Sequence, residues 1–299
     1  SSITTYHLGY ILGPRINAGG RVGKSTHGAD LLLNKNPKNV FQLAADLNTY
    51  NEERKILEGE LLNKILNTDF KTNSEPVVIL YGENWHEGII GIIAARIKDK
   101  YNKPTIVISV NNGIGKGSGR SITGFDLGST IIGAVQSGLL TKGGGHKMAA
   151  GFTIHMDKFN EFKEFVFRKF KSVNINLEEK KNYYFDVEIA PSAVNIEFFE
   201  KINLLAPFGS GNPEPRFVIK DVKLVNSKLI AEKHIKIVLI GSDATTLKAI
   251  SFNSVGTQLG SHLLKKNIKP FDIAGKLSLN EWRGQRNVEF IIDDISVIK

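Results

Sequence analysis

The chain has 299 residues, 41% of them hydrophobic, which is long for one ordinary domain and apolar enough to build cores, so two globular units are expected. Lysine and arginine number 39 against 30 Asp and Glu, and the net charge of +9 favours a polyanionic partner through counterion release. Cysteine is absent, which excludes disulfides, thiolate zinc sites and a cysteine nucleophile and suits a reducing cytoplasm, and no run approaches the roughly 18 apolar residues of a membrane span.

The chain opens Ser-Ser, without a charged-then-apolar signal pattern, and enters a dense motif within a few residues, which reads as a segment of a longer protein. Residues 1–36 read as a motif-bearing loop and a short apolar helix over 29–33. From 37 to about 70 the apolar residues Val40, Leu43, Leu47, Leu57, Leu61 and Ile65 recur at helical spacing behind a proline suited to a first turn. The middle of this long helix, 48–55, is strongly polar and is expected to cross open space between two domains. Apolar runs at 77–81 and 105–110 read as strands, joined by a buried crossover helix over 88–97; helices follow at 126–139 and 157–170, with a strand near 151–155. After a polar linker, strands are expected at 183–189, 216–225, 235–240, 246–252, 271–279 and 288–298, with a short helix near 195–204. The fold class is therefore α/β plus all-β. A motif loop and connecting helix (1–71) precede an α/β domain with a mixed sheet (72–171) and a small barrel of the oligonucleotide-binding (OB) type (180–299), for which a two-sheet sandwich is the alternative.

Three glycine-rich segments carry polar planar or hydroxyl groups. Arg15, Asn17 and Arg21 lie within seven residues, and arginine forks bind phosphate bidentately while Asn fixes an oxygen or a base edge. Ser118, Arg120 and Ser121 repeat that chemistry, and Gly144, Gly145 and His146 add an imidazole beside glycine amides expected to be approachable. Residues 18–25, ending Gly23-Lys24-Ser25, satisfy a relaxed phosphate-loop pattern, which makes a P-loop nucleotidase using Lys24 an alternative; Pro14 and Asn17 interrupt the strand that such a loop requires. In the barrel His234, Lys236, Lys248, Phe252, Trp282 and Arg283 mix cations and aromatics as a single-strand groove would. No paired-acid or metal-ligand spacing occurs, so no metal ligand is assigned and a two-metal nuclease centre cannot be assembled from these residues.

Taken in order, Leu12 to Arg21, Asn51-Glu52-Glu53-Arg54, Trp85 to Gly91, Gly117 to Ser121, Gly144 to Gly151 and Pro207 to Pro215 resemble the RecJ family of single-strand-specific DNA exonucleases, within the Asp-His-His (DHH) phosphoesterase superfamily. The resemblance implies 5′ to 3′ phosphodiester hydrolysis to mononucleotides in DNA repair and recombination. It implies a DHH-associated domain before the barrel, and Mn²⁺ or Mg²⁺ held by an N-terminal Asp-His-His domain that this sequence lacks, so that this chain alone binds no metal and is inactive. The partners implied are single-stranded DNA and a single-strand-binding protein or helicase. By the same resemblance Arg15, Asn17 and Arg21 face the metal cleft, Ser118, Arg120 and Ser121 hold backbone phosphates, and His146 lies beside the scissile bond, making His146 and Arg120 the catalytic candidates. A non-catalytic single-strand-binding module is the other alternative.

Overall fold

A computed structural model describes residues 3–67, 75–173, 175, 182–265, 269–282 and 284–297, with Trp282 described by its backbone alone. The chain divides into two units, Tyr6–Glu179 and Lys180–Lys299 together with Ser1–Thr5.

In the first unit the motif of residues 12–21 is helical, where a loop is expected. A π-helical turn, His7–Leu12, runs into α1, Gly13–Val22, with Pro14 in the first turn, where a missing N–H costs nothing. This also removes the phosphate-loop alternative: Lys24 follows a helix, with no strand leading into residues 18–25. After α2, His27–Leu33, the long helix α3 covers Pro37–Leu66, its start fixed by Pro37 and by the Asn36 side chain, which accepts from Lys38 N–H at 3.0 Å. The expected helix past residue 67 lies outside the described residues. Its polar middle does not cross open space. Leu47, Asn51, Glu58, Leu61 and Ile65 form one buried seam along it. Arg54 Nη1 donates to Glu58 Oε2 at 2.6 Å, and Arg96 Nε, from the neighbouring helix, donates to Glu58 Oε1 at 3.0 Å. Paired charge lets a polar helix segment pack.

Strand β1, Val78–Glu83, crosses through α4, Glu87–Tyr101, to the parallel strand β2, Thr105–Asn111, whose residues are buried on both sides up to Val110. The chain then reverses at Asn112-Gly113, both with positive φ (51° and 75°), the geometry of a two-residue hairpin turn, into β3, Ile114–Arg120. Helix α5 (Leu127–Gln136), β4 (Lys142–His146), β5 (Ala149–His155) and α6 (Phe159–Lys171) complete a mixed sheet of order β1-β2-β3-β5-β4. α3 and α4 cover one face through Leu61, Ile65, Ile89, Ile93 and Val107. α5 and α6 cover the other through Ile106, Leu127, Ile131, Phe152, Phe162 and Phe170.

The glycine-rich segments 117–121 and 143–146, to which the sequence reading assigns no strand, are thus largely strands β3 and β4. A period-2 pattern is invisible when one face is glycine, yet packing needs it: a Cβ on Gly117 would run into the Phe152 ring, and one on Gly143 would stand 2.7 Å from Ile131 Cγ2. Because β3 pairs with strands on both sides, its amides serve the ladders and do not grip phosphate.

In the second unit β6 (Val187–Glu188) and α7 (Ile196–Asn203) precede β7 (Phe217–Ile230), β8 (His234–Ile240) and β9 (Thr246–Ser251). Helix α8 (Gln258–Leu263), absent from the sequence reading, leads to β10 (Phe271–Trp282) and β11 (Gln285–Val297). β10 pairs with both β11 and β7, and β11 with β9, so β7-β8-β9-β11-β10 closes a five-stranded barrel around Ile219, Ile237, Leu247, Phe271 and Phe290; it is not a sandwich.

Candidate nucleic-acid interface

Two arginines meet where α1, α4 and β3 converge. Gly88 in the first turn of α4 lies against the Arg21 backbone so closely that a Cβ there would strike the Arg21 carbonyl, and the Arg21 guanidinium in turn donates to Gly88 C=O at 3.1 Å. One turn further, Gly91 leaves room for Arg120 and Ser118: a Cβ there would stand 2.9 Å from Arg120 Nη2 and from Ser118 Oγ. Arg120 Nη1 donates to Gly119 C=O at 2.8 Å and to Ser118 Oγ at 3.2 Å. Burial, and then the charge of Arg21, push the Arg120 pKa down, while a guanidinium keeps its proton. Among the described residues neither Arg21 nor Arg120 forms an ion pair with a carboxylate; the nearby Glu87 is held by Lys116 at 2.8 Å. Two half-buried like charges satisfied only by carbonyls and a hydroxyl make a site with a standing preference for an anion.

The register carries this site across the sheet. Arg120 pairs with Ala149 and Ala149 with His146; Ser118 pairs with Gly151 and Gly151 with Gly144; Lys116 and Lys142 both pair with Thr153. Paired residues share a face, so Lys116, Ser118, Arg120, Ala149, Gly151, Gly144, Lys142 and His146 all line the face of the sheet on which α4 lies. The floor between these cations, formed by Ala149, Gly151 and Gly144, has almost no side chains. A Cβ on Gly144 would meet nothing within 4 Å and one on Gly151 only Gly117 O at 3.8 Å, so packing does not demand glycine at either position. Both have ordinary φ. The inward glycines are demanded by the core and the outward pair is not.

His146 stands exposed at one end of this floor, two strands from Arg120, roughly 10 Å at sheet spacing. Its Nδ1 accepts from Met148 N–H at 3.3 Å, which puts the neutral ring's proton on Nε2 as an outward donor. Gly145 is held by packing, since a Cβ there would stand 2.5 Å from Ala150 Cα. Asn17 is exposed one helical turn before Arg21, on the same side of α1. The structure does not bring Arg15 into this set: its Nε donates to Asn48 Oδ1 at 3.0 Å and its Nη1 to Ile11 C=O at 2.8 Å, tying α1 to α3. Ser121 also turns away, 1% exposed, with its hydroxyl donating to Phe125 C=O at 2.7 Å. The sequence reading assigns no site role to Gly88, Gly91, Lys116, Lys142 or Gly151, although Gly88, Gly91 and Gly151 fall within the motifs that carry the resemblance.

Trp85 packs over Gly82, partly buried against the core beside α4, and its carbonyl accepts from Ser109 Oγ at 2.5 Å; His86 caps α4, its Nδ1 accepting from Gly88 N–H at 3.1 Å. In the barrel unit His234, Lys236, Lys248 and Phe252 share the outer face of β8 and β9. His234 meets the half-exposed Phe252 ring edge-on at 5.1 Å, while Lys236 is paired with Glu289 at 2.9 Å. The side chains of Trp282 and Arg283 lie outside the described residues. No group of three or more His, Asp or Glu that could hold a metal ion occurs among the described residues, so these residues do not fit a catalytic metal. No described helix is long and apolar enough to cross a membrane.

A mixed sheet with a bare cationic face, together with a closed five-stranded barrel, defines a protein that couples a DHH-associated domain to an OB domain. The family model of the DHHA1 domain matches residues 74–172, and that of the RecJ OB domain matches residues 185–294. The chain is 33% identical to the single-stranded-DNA-specific exonuclease RecJ of Haemophilus influenzae, over 99% of this chain and 52% of that protein. It is 32% identical to the RecJ of Dickeya dadantii, over 96% of this chain and 51% of that protein. It superposes on the crystal structure of RecJ in complex with Mg²⁺ from Thermus thermophilus with a TM-score of 0.82 and 26% identity, covering 99% of this chain and 44% of that one. The Mn²⁺ complex from the same organism gives a TM-score of 0.81. The chain belongs to the RecJ family and corresponds to its C-terminal half; it spans about half the length of the curated relatives it matches.

Proposed function

We propose that this chain is the substrate-binding part of a metal-dependent exonuclease that removes 5′-mononucleotides from single-stranded DNA during repair and recombination. The observation that carries the reading is the Arg21–Arg120 pair, half-buried, without a carboxylate and opening onto a floor bare of side chains. Arg21 and Arg120 hold consecutive phosphates, Ser118 and the outward N–H of His146 add donors, and Asn17 reaches from α1. Gly144 and Gly151 let the strand lie against the sheet, which a duplex, with its bases turned inward, cannot exploit equally. The outer face of β8 and β9 supplies His234, Phe252 and Lys248 for a second grip within the unit of residues 180–299. Arg15 and Ser121 serve the fold in this reading.

A divalent metal, such as the Mg²⁺ or Mn²⁺ of the related RecJ structures, would be held by residues outside this chain and would supply the activation of water. This chain's residues orient the 5′ end and neutralise its charge. The cellular setting is the cytoplasm, beside a single-strand-binding protein or a helicase. The test is fluorescence anisotropy of the full chain with 5′-phosphorylated single-stranded and blunt double-stranded DNA over a salt series. Preference for the single strand, with log K falling steeply against log salt, supports the reading. Equal affinity for both, or none for either, contradicts it. Single-strand binding by a longer form that never cleaves with Mn²⁺ present would favour the non-catalytic module.

A further inference from the structure

The barrel unit carries a groove that the nucleic-acid reading leaves unused. On the outer faces of β7, β10 and β11 the register sets Val218 beside Ala274 and Ala274 beside Asp294, with Asp272 and Ser296 paired on the next rung. Tyr183 and Phe185, from the segment before β6, stand over these residues and complete a cavity of about 220 Å³ with apolar walls. That is below the roughly 300 Å³ at which small-molecule sites begin, and suits one or two side chains. Around it Tyr184 is 83% and Phe185 48% exposed, in an aromatic cluster that the barrel does not cover.

The charge at its mouth opposes that of the rest of the molecule. Its two cations are already neutralised: Lys220 Nζ lies 2.6 Å from Glu188, and Arg216 Nε lies 3.1 Å from Asp293, which also accepts from the Tyr183 hydroxyl at 3.0 Å. Asp221, Asp272 and Asp294 form no ion pair among the described residues. On a chain of net charge +9, an apolar cavity lined by Asp272 and Asp294, with Asp221 beside them donating its N–H to Asp272 at 3.1 Å, repels phosphate and attracts cations.

We infer that this groove docks a short segment of a partner protein, one that inserts an aliphatic or aromatic side chain into the cavity and sets Lys or Arg against Asp272 and Asp294. An apolar anchor beside charges that steer and orient it is how small peptide sites obtain both affinity and selectivity. The partner's cations complement unpaired acids, and its backbone runs along the exposed aromatics at 184 and 185.

The experiment selects a phage-displayed random dodecapeptide library on the full chain, then measures the best synthetic peptide by fluorescence anisotropy. Enriched peptides should carry an apolar residue within two positions of Lys or Arg. Two variants should each weaken binding at least tenfold: Asp294→Lys, at an exposed residue whose carboxylate accepts, among the described residues, only from Ile295 N–H, and Ala274→Phe, which fills the cavity. Thermal melts confirm that both variants fold. A 20-mer of deoxythymidine should not displace the peptide. The inference is overturned by no enrichment, by peptides lacking a cation, by affinity unchanged in both variants, or by displacement with the oligonucleotide. Self-association of the chain that Asp294→Lys abolishes would give the groove to a second copy and overturn it as well. None of these outcomes depends on the exonuclease reading.

Discussion

Inward and outward glycines of the same strands should answer substitution in opposite ways. Adding a Cβ at Gly117 drives it into the Phe152 ring at the centre of the α5–α6 core. Overpacking of that kind costs about 1–3 kcal/mol. In a unit of residues 6–179, with roughly 2–4 °C lost per kcal/mol, Gly117→Ala should lower the melting temperature by about 2–12 °C. At Gly144 a Cβ meets nothing within 4 Å and the backbone is ordinary, so Gly144→Ala should be neutral or gain about 0.5–1 kcal/mol, because glycine in a strand is the more costly residue. The same outward position is the floor of the proposed interface, and Gly144→Val raises two methyl groups from it. Single-stranded DNA affinity should then fall at least tenfold, about 1.4 kcal/mol, with the fold intact. Melts followed by circular dichroism, with anisotropy on a labelled oligonucleotide, read the two effects separately. Gly144→Val binding DNA within twofold of the parent would refute the floor as a contact surface. A parental melting temperature for Gly117→Ala would refute the assignment of the inward glycines to packing.

Replacing Arg120 by Gln should weaken single-strand binding about tenfold and reduce the slope of log K against log salt by about 0.7, the share of one phosphate contact. Arg21→Gln should do the same with a melting temperature unchanged or raised, because it relieves repulsion on Arg120; a drop of several degrees would contradict the like-charge reading. Glu58→Ala leaves Arg54 buried without its carboxylate, and should cost about 2–3 kcal/mol in a denaturant melt, with the affinity of the folded protein for DNA unchanged. Burial, and then Lys265, hold the His262 pKa below its ordinary value, so the unfolded state binds the proton more readily and stability falls as pH drops from about 7 through the folded pKa. His262→Gln should flatten that loss in melts at pH 7 and pH 5; an unaltered pH profile would show that His262 does not cause it.

The order of elements is legible in the sequence where one period dominates. The doubly buried β2 shows itself as an unbroken apolar run, α4 as an apolar crossover and the barrel strands as successive β-branched stretches. β3 and β4 are not legible, because their inward positions are glycines that accept Phe152 and Ile131 from other elements, and no apolar alternation remains to be read. The polar middle of α3 misleads for a related reason: Glu58 bridges Arg54 and Arg96, and a sequence does not reveal which charges will be paired. Arg21, Ser118, Arg120 and His146 stand out in the sequence as chemistry-bearing groups, yet only the strand register shows that Ser118, Arg120 and His146 share one face, and only the packing of α1 on α4 brings Arg21 to it. Arg15 and Ser121 look equivalent to them in sequence. Their hydrogen bonds to Asn48 and Phe125 distinguish them.

The central claim is that the bare face of β3, β5 and β4 receives a single strand, and photocrosslinking tests it most directly. An oligonucleotide carrying 4-thiothymidine near its 5′ end would be irradiated with the full chain, and the adducts mapped by mass spectrometry. Adducts on residues 116–121 and 142–151, lost in Gly144→Val, are the predicted result. Adducts confined to residues 182–297, or unaffected by that substitution, would contradict the account.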